Sequence, residues 1–246
     1  MTRQTSLLLL GLALALAVPW QARATTLVTL DLEQLADRAE LVFTGTAVSS
    51  EVALTPEDQF PFTFVTFRVE STLKGRAEGK ELTLRFAGGP VGEDWVEVVG
   101  MPEFAIGEEY LLFVSGNGVN LSPVLGWHQG RLRVARDPES GRKVLVDEAG
   151  APVLGIERGR WVLGVPQHGL GGKAELVDQE GVVITAERPG PVRRARPDAG
   201  QVVQSLRSFL HSRGAKPTFA PGRTVRSASP SEIPARMGGD VAAPRQ

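Results

Sequence analysis

Carboxylates are the side chains in this sequence whose type and spacing come nearest to chemistry. They pair at Glu93-Asp94, Glu108-Glu109 and Asp147-Glu148, and two carboxyl groups held on opposite sides of a glycosidic bond can hydrolyse it. Each pair, however, sits among turn-forming residues, where adjacent acids project into water. They are expected to be solvated turns. The histidines, His128, His168 and His211, are far apart and form no His-Glu-x-x-His pair. There is no cysteine, so thiolate ligands, thiol nucleophiles and disulfides are all excluded. A zinc site needs several converging nitrogen, sulfur or oxygen ligands, and no metal or cofactor is expected. The nucleophile elbow Gly-x-Ser-x-Gly is missing, and Ser115-Gly-Asn-Gly118 reads as a loop. Asp137-Pro-Glu-Ser-Gly141 lacks the alternating oxygens and closing glutamate of a calcium loop. Gly169-Leu-Gly-Gly172 lacks the lysine and hydroxyl of a phosphate loop. The expectation is a protein that is not an enzyme.

The elements that would carry any site are mostly strands. Asp31 can cap a short helix with Leu32, Leu35, Ala36 and Ala39 on one face. Leu41-Val-Phe-Thr-Gly-Thr-Ala-Val48 follows as a strand, with Gly45 where it could bend or meet another backbone. In the stretch from Phe60 to Gly75 the apolar parity passes from Phe60, Phe62 and Phe64 to Val65, Phe67 and Val69. That change predicts a β-bulge, which bends a strand and raises its twist. Leu82, Leu84 and Phe86 alternate with Glu81, Thr83 and Arg85 in a half-exposed strand. A turn-rich connection, 88–95, leads to Val96-Glu-Val-Val99, and Tyr110 to Val114 is apolar throughout, as a strand buried on both faces would be.

Residues 127–136 and 142–147 flank a turn and predict a hairpin, with a second at 174–177 and 182–186. The glycine-rich stretch 155–172 between them carries no clear pattern. A proline- and arginine-rich linker from 188 leads to Asp198, which can cap a helix carrying Val202, Val203, Leu206, Phe209 and Leu210. Beyond Gly214 the composition of Pro, Gly, Ser and Ala predicts disorder to the end.

The first 24 residues combine a basic start, an apolar run over 6–18 and the small-x-small exit Ala22-Arg-Ala24. Those are the parts of a secretory signal peptide, and cleavage would leave Thr25 at the mature terminus. No other stretch is long enough to span a bilayer, so no transmembrane segment is expected after cleavage. Export without disulfides points to a bacterial periplasmic or extracellular protein. The formal net charge of −1 conceals an asymmetry. Residues 25–187 carry 14 basic and 25 acidic side chains, a balance of −11, whereas 188–246 carry 11 and 3, a balance of +8. An acidic, exported body argues against nucleic acid as a partner, although small barrels often bind it through aromatic platforms.

Three segments together resemble a known family. They are Ala39-Glu-Leu-Val-Phe-Thr-Gly-Thr-Ala-Val48, Val65-Thr-Phe-Arg-Val-Glu-Ser-Thr-Leu-Lys-Gly75 and Phe104-Ala-Ile-Gly-Glu-Glu-Tyr-Leu-Leu-Phe113. They are similar to the barrel strands of the netrin-like and tissue-inhibitor-of-metalloproteinase superfamily, over about a third of the chain. The resemblance implies an all-β, OB-like Greek-key barrel at 25–118 with its N-terminal helix. A β-hairpin-rich extension at 119–187, a linker with a C-terminal helix at 188–213 and a disordered basic tail at 214–246 would follow. Inhibitors of that family cover the catalytic zinc of a protease with an N-terminal cysteine, which this chain lacks. The implied role is an exported binding protein whose partner is a secreted metalloprotease. A cell-envelope or matrix component, an anionic polymer held by the basic tail, is the alternative. The candidate partner-binding residues are Thr25 and Thr26 at the mature terminus and Arg193, Arg194 and Arg196 in the linker.

Overall fold

The computed structural model describes residues 29–55, 59–166, 196–215 and 222–230. Thr25, Thr26, Arg193, Arg194 and the hairpin expected at 174–186 lie outside them. Helix α1 (Leu32–Arg38) opens the described chain with a capping box. Asp31 Oδ1 accepts the Gln34 backbone N–H at 2.8 Å, and Gln34 Oε1 accepts that of Asp31 at 3.1 Å. Seven residues are too few for a helix to persist alone in water. Burial of Leu32, Leu35 and Ala36 supplies what propensity cannot.

The strands follow in chain order as β1 (Leu41–Leu54), β2 (Pro61–Lys74), β3 (Arg76–Ala77), β4 (Glu81–Ala87), β5 (Gly89–Val91) and β6 (Asp94–Val96). After them come β7 (Glu109–Val114), β8 (Arg131–Arg136), β9 (Lys143–Val146), β10 (Val153–Glu157) and β11 (Arg160–Leu163). Helix α2 (Ala199–Gly214) and the short β12 (Thr224–Val225) complete the described elements. Six of the strands form one antiparallel sheet in the order β4-β2-β1-β7-β8-β9. Strands β1, β2 and β4 follow one another, and β7 returns to the far side of β1, which is Greek-key order. As its composition predicts, β7 is buried along almost its whole length between β1 and β8.

The expected barrel does not close among the described residues. Its closing edge on β4 is taken by backbone and side-chain groups of other segments. The Thr83 N–H donates to Ser227 Oγ at 3.1 Å and the Ala228 N–H to the Thr83 carbonyl at 2.9 Å. The Arg85 N–H donates to Asn117 Oδ1 at 3.1 Å, and the Ala87 N–H to the Leu121 carbonyl at 2.8 Å. With those groups satisfied, β4 offers no free ladder to another strand. Residues 222–230, placed by composition in the disordered tail, run against the sheet, with β12 parallel to β3 and Val225 buried. Beyond residue 118, β8 and β9 continue the sheet that contains β1.

The parity change in β2 has a different cause from the bulge it predicts. From Phe62 to Arg68 the strand pairs with β4 without interruption. Phe62 and Phe64 therefore face one side, with Ala87, while Val65 and Phe67 face the other, with Leu82 and Leu84. Both faces are covered locally. The bulge beside this region lies on β1, where Val48 has no partner between Ala47–Phe67 and Ser49–Thr66, and two more on β2 fall later, at Glu70 and Leu73. Gly45 does sit at a close approach: a Cβ there would meet the Arg68 carbonyl oxygen at 2.7 Å.

Behind β7–β9 the helices close a core of Leu35, Val42, Leu111, Phe113, Leu145 and Leu206. Val202, Leu206 and Leu210 of α2 are buried there, each worth about 1.5–3 kcal/mol over exposure. Asp198 caps α2, accepting the Gly200 N–H at 2.8 Å. The predicted hairpin at 127–147 is β8–β9, except that Trp127–Gly130 forms one turn of 3-10 helix ahead of it. The stretch without a pattern contains a second hairpin, β10–β11. Among the described residues, no helix is long and apolar enough to cross a membrane.

Candidate functional site

On the sheet face away from the helices, aromatic rings build a second core. Phe104 is its centre, with ring centroids 5.0 Å from Phe67, 5.1 Å from Phe86 and 5.1 Å from Tyr110. Edge-to-face packing of this kind adds to the stabilisation from area alone. The Arg131 guanidinium lies 5.6 Å from the Phe104 centroid and 5.9 Å from that of Tyr110. It also donates to the Glu103 carbonyl and pairs with Glu148. Burial pushes the Tyr110 phenol up from its usual value, and its oxygen accepts the Ala105 N–H at 2.9 Å.

This aromatic core does not reach the surface as a flat wall. A cleft of ≈ 300 Å³ opens above it, with Val65, Phe86 and Phe104 among its lining residues. One side is the β5–β6 hairpin and the other the segment from Val98 to Phe104. The hairpin can fold back over β2 because Gly88 and Gly89 both take positive φ, +97° and +136°. A Cβ on Gly89 would meet Thr63 Oγ1 at 2.6 Å, so no larger residue fits. Thr63 Oγ1 donates to the Gly88 carbonyl at 2.7 Å and anchors the base of the hairpin. Trp95, opposite Pro90 in the hairpin, lines the cleft and remains 65% exposed. Val99, in the segment after the hairpin, is 84% exposed. Glu97 and Glu103 also line the cleft, and among the described residues no lining side chain is basic.

The residues singled out by sequence are dispersed. Glu108 pairs with Arg133 at 3.2 Å and Glu109 with Lys143 at 2.6 Å. Asp147 Oδ1 accepts the Ala151 N–H at 2.8 Å and closes a turn, while Glu148 holds Arg131. Only Glu93-Asp94 belongs to an element that walls the cleft, the β5–β6 hairpin, and neither residue lines it. His128 lies in the 3-10 turn and His211 on the exposed side of α2; His168 is outside the described residues. No group of three or more His, Asp or Glu gathers among the described residues as a metal would need. Of the candidate partner-binding residues, Arg196 alone is described. Its guanidinium is 14% exposed and pairs with Asp137, itself 5% exposed. The Asp137 carboxyl is held below its usual range by the Ser140 hydroxyl and by Arg196. Arg196 therefore joins the linker to the β8–β9 turn instead of presenting a free charge.

Trp95, Glu97 and Glu103 were not marked by any motif, and Phe104 entered only as the first residue of a segment resembling a barrel strand. The available signal was weak: a tryptophan in a turn-rich segment between two glycine pairs or singles, Gly88-Gly89 and Gly100. A large aromatic in such a connection has no strand face to be buried on. Comparison of the chain with protein-family models, with curated proteins and with solved structures gives no match.

Proposed function

We propose that this is an exported, non-enzymatic binding protein that engages a partner protein through the cleft beside Trp95. The observation that carries the reading is an indole left open to solvent at the rim of a concave, aromatic-floored site. Tryptophan is among the side chains enriched in the residues that dominate protein binding energy once a partner covers them. The engagement of Glu108, Glu109 and Glu148 in ion pairs supports a binding role over carboxylate chemistry. A secreted metalloprotease is the partner implied by the family resemblance, on an OB-like barrel scaffold. In this proposal the contact runs through the cleft and not through the terminus at Thr25.

The test is capture of exported proteins from the native host by the full chain and by Trp95→Ala. A partner retained by the wild type and lost by the variant supports the reading, and equal retention contradicts it. Inhibition of co-secreted metalloproteases, assayed at high excess of the protein, separates the named partner from others. The envelope alternative predicts salt-sensitive association through the basic tail. Arg223 and Arg226 in the described part of that tail lie near Glu40 and Glu78, at 3.7 Å and 3.6 Å, which reduces its free positive charge.

A further inference from the structure

The proposed cleft has a composition that selects among side chains. Its volume, ≈ 300 Å³, is at the small end of ligand pockets and suits one long side chain better than a larger ligand. Phe86, Met101 and Phe104 give it an apolar interior, against which a methylene stem would pack. The polar character of its rim is of one sign. Glu97 and Glu103 line it and Glu93 and Asp94 precede Trp95 in the hairpin. None of these four carboxylates is in an ion pair among the described residues, although eight other acids of the fold are. The cation nearest the floor, Arg131, is already held by Glu148, the Glu103 carbonyl and two rings.

We infer that the cleft receives an arginine side chain of the partner protein, its stem along the aromatic floor and its guanidinium between the Trp95 indole and the Glu97 and Glu103 carboxylates. This rests on the proposed binding role of the cleft. A planar guanidinium can stack on an indole face while donating in its plane to carboxylates. A lysine ammonium satisfies the charge and not the stacking, and a carboxylate meets the like charge of Glu97 and Glu103. An apolar side chain would leave the acidic rim without a counter-charge.

The experiment follows the Trp95 indole N–H by NMR in the full, isotope-labelled chain during titration with capped pentapeptides. The central residue is arginine in one peptide and citrulline, its neutral isostere, in the other. The expected result is a shift of the Trp95 signal by the arginine peptide, with binding about five-fold tighter than that of citrulline. The double variant Glu97→Gln, Glu103→Gln, altered only at exposed positions, should reduce that ratio to below about two-fold with the rest of the spectrum unchanged. Equal binding of the two peptides would overturn the cationic preference and leave the cleft as a binding site. An arginine peptide that leaves the Trp95 signal in place would overturn the inference, whatever Trp95→Ala does to partner capture. Binding seen only after removal of residues 231–246 would also overturn it, assigning the cleft to the chain's own end.

Discussion

The two sides of the sheet treat charge and apolar surface in opposite ways. On the helical side, Arg213 of α2 forks onto Asp37 of α1 with two contacts of 2.6 Å and lies 3.4 Å from Glu33. Arg196 pairs with Asp137, and the Lys74 ammonium donates to the Ala36 carbonyl at 2.8 Å. Its apolar residues are covered by two helices. On the cleft side, four carboxylates form no ion pair among the described residues, and the largest side chain of the hairpin stands in water. A face that completes its own contacts contributes stability, and one that leaves them open is available for contact with something else. The difference locates function more directly than any residue type does.

The largest expected effect is on the closed side. Leu206→Ala should cost about 3 kcal/mol, the transfer of a fully buried leucine plus the cavity left behind. Chemical denaturation would measure it, and a loss below about 1 kcal/mol would mean α2 is not part of that core. Arg213→Met comes next. It leaves Asp37 without its forked donor and should cost about 2 kcal/mol, detectable as a lowered denaturation midpoint.

The Asp137–Arg196 pair sharpens the comparison through pH. The carboxyl is held low in the folded state, by Ser140 first and Arg196 also, so the unfolded chain binds a proton at higher pH. Stability from this pair is present above the unfolded aspartate value of about 3.9 and is lost as pH falls through the folded value. Asp137→Asn should therefore be less stable than wild type at pH 7 by about 1.5 kcal/mol. The two should converge in strong acid, and a constant gap at all pH values would mean the carboxylate charge plays no part.

Much of this closed side was legible in the sequence. Asp31 and Asp198 announce their helices because a side-chain acceptor before an apolar 3.6-residue pattern has one common use. The alternation of Leu82, Leu84 and Phe86 places β4, and the continuous Tyr110–Val114 run places β7 in the middle of the sheet. Strand β2 was harder: its two aromatic registers mark two covered faces, and one strand's pattern cannot say which neighbours cover it. The cleft was not legible. Its walls come from Thr63, Trp95 and Met101–Phe104, brought together by the backward fold at Gly88-Gly89, and no spacing within one segment encodes that meeting. The seal on the β4 edge was hidden for a related reason, since Ala228 lies 145 residues from Thr83 in the chain and sits in a composition that reads as tail.

The smallest expected effect on stability belongs to the open side. Trp95→Ala should change it by less than about 0.5 kcal/mol, because a side chain 65% exposed has little burial to lose. A thermal shift as large as that of Leu206→Ala would show the indole to be part of the core and would remove the distinction between the faces.

The most direct measurement of the central claim places a photo-crosslinking amino acid in the full chain at position 95 or at position 211, which lie on the hairpin and on the exposed side of α2. Each protein is illuminated in the presence of the exported proteins of the native host. A defined adduct from position 95 and none from position 211 is the predicted result. Adducts from position 211 alone would contradict the account, because contact would then occur on the face where Arg213, Arg196 and Lys74 already have partners within the fold.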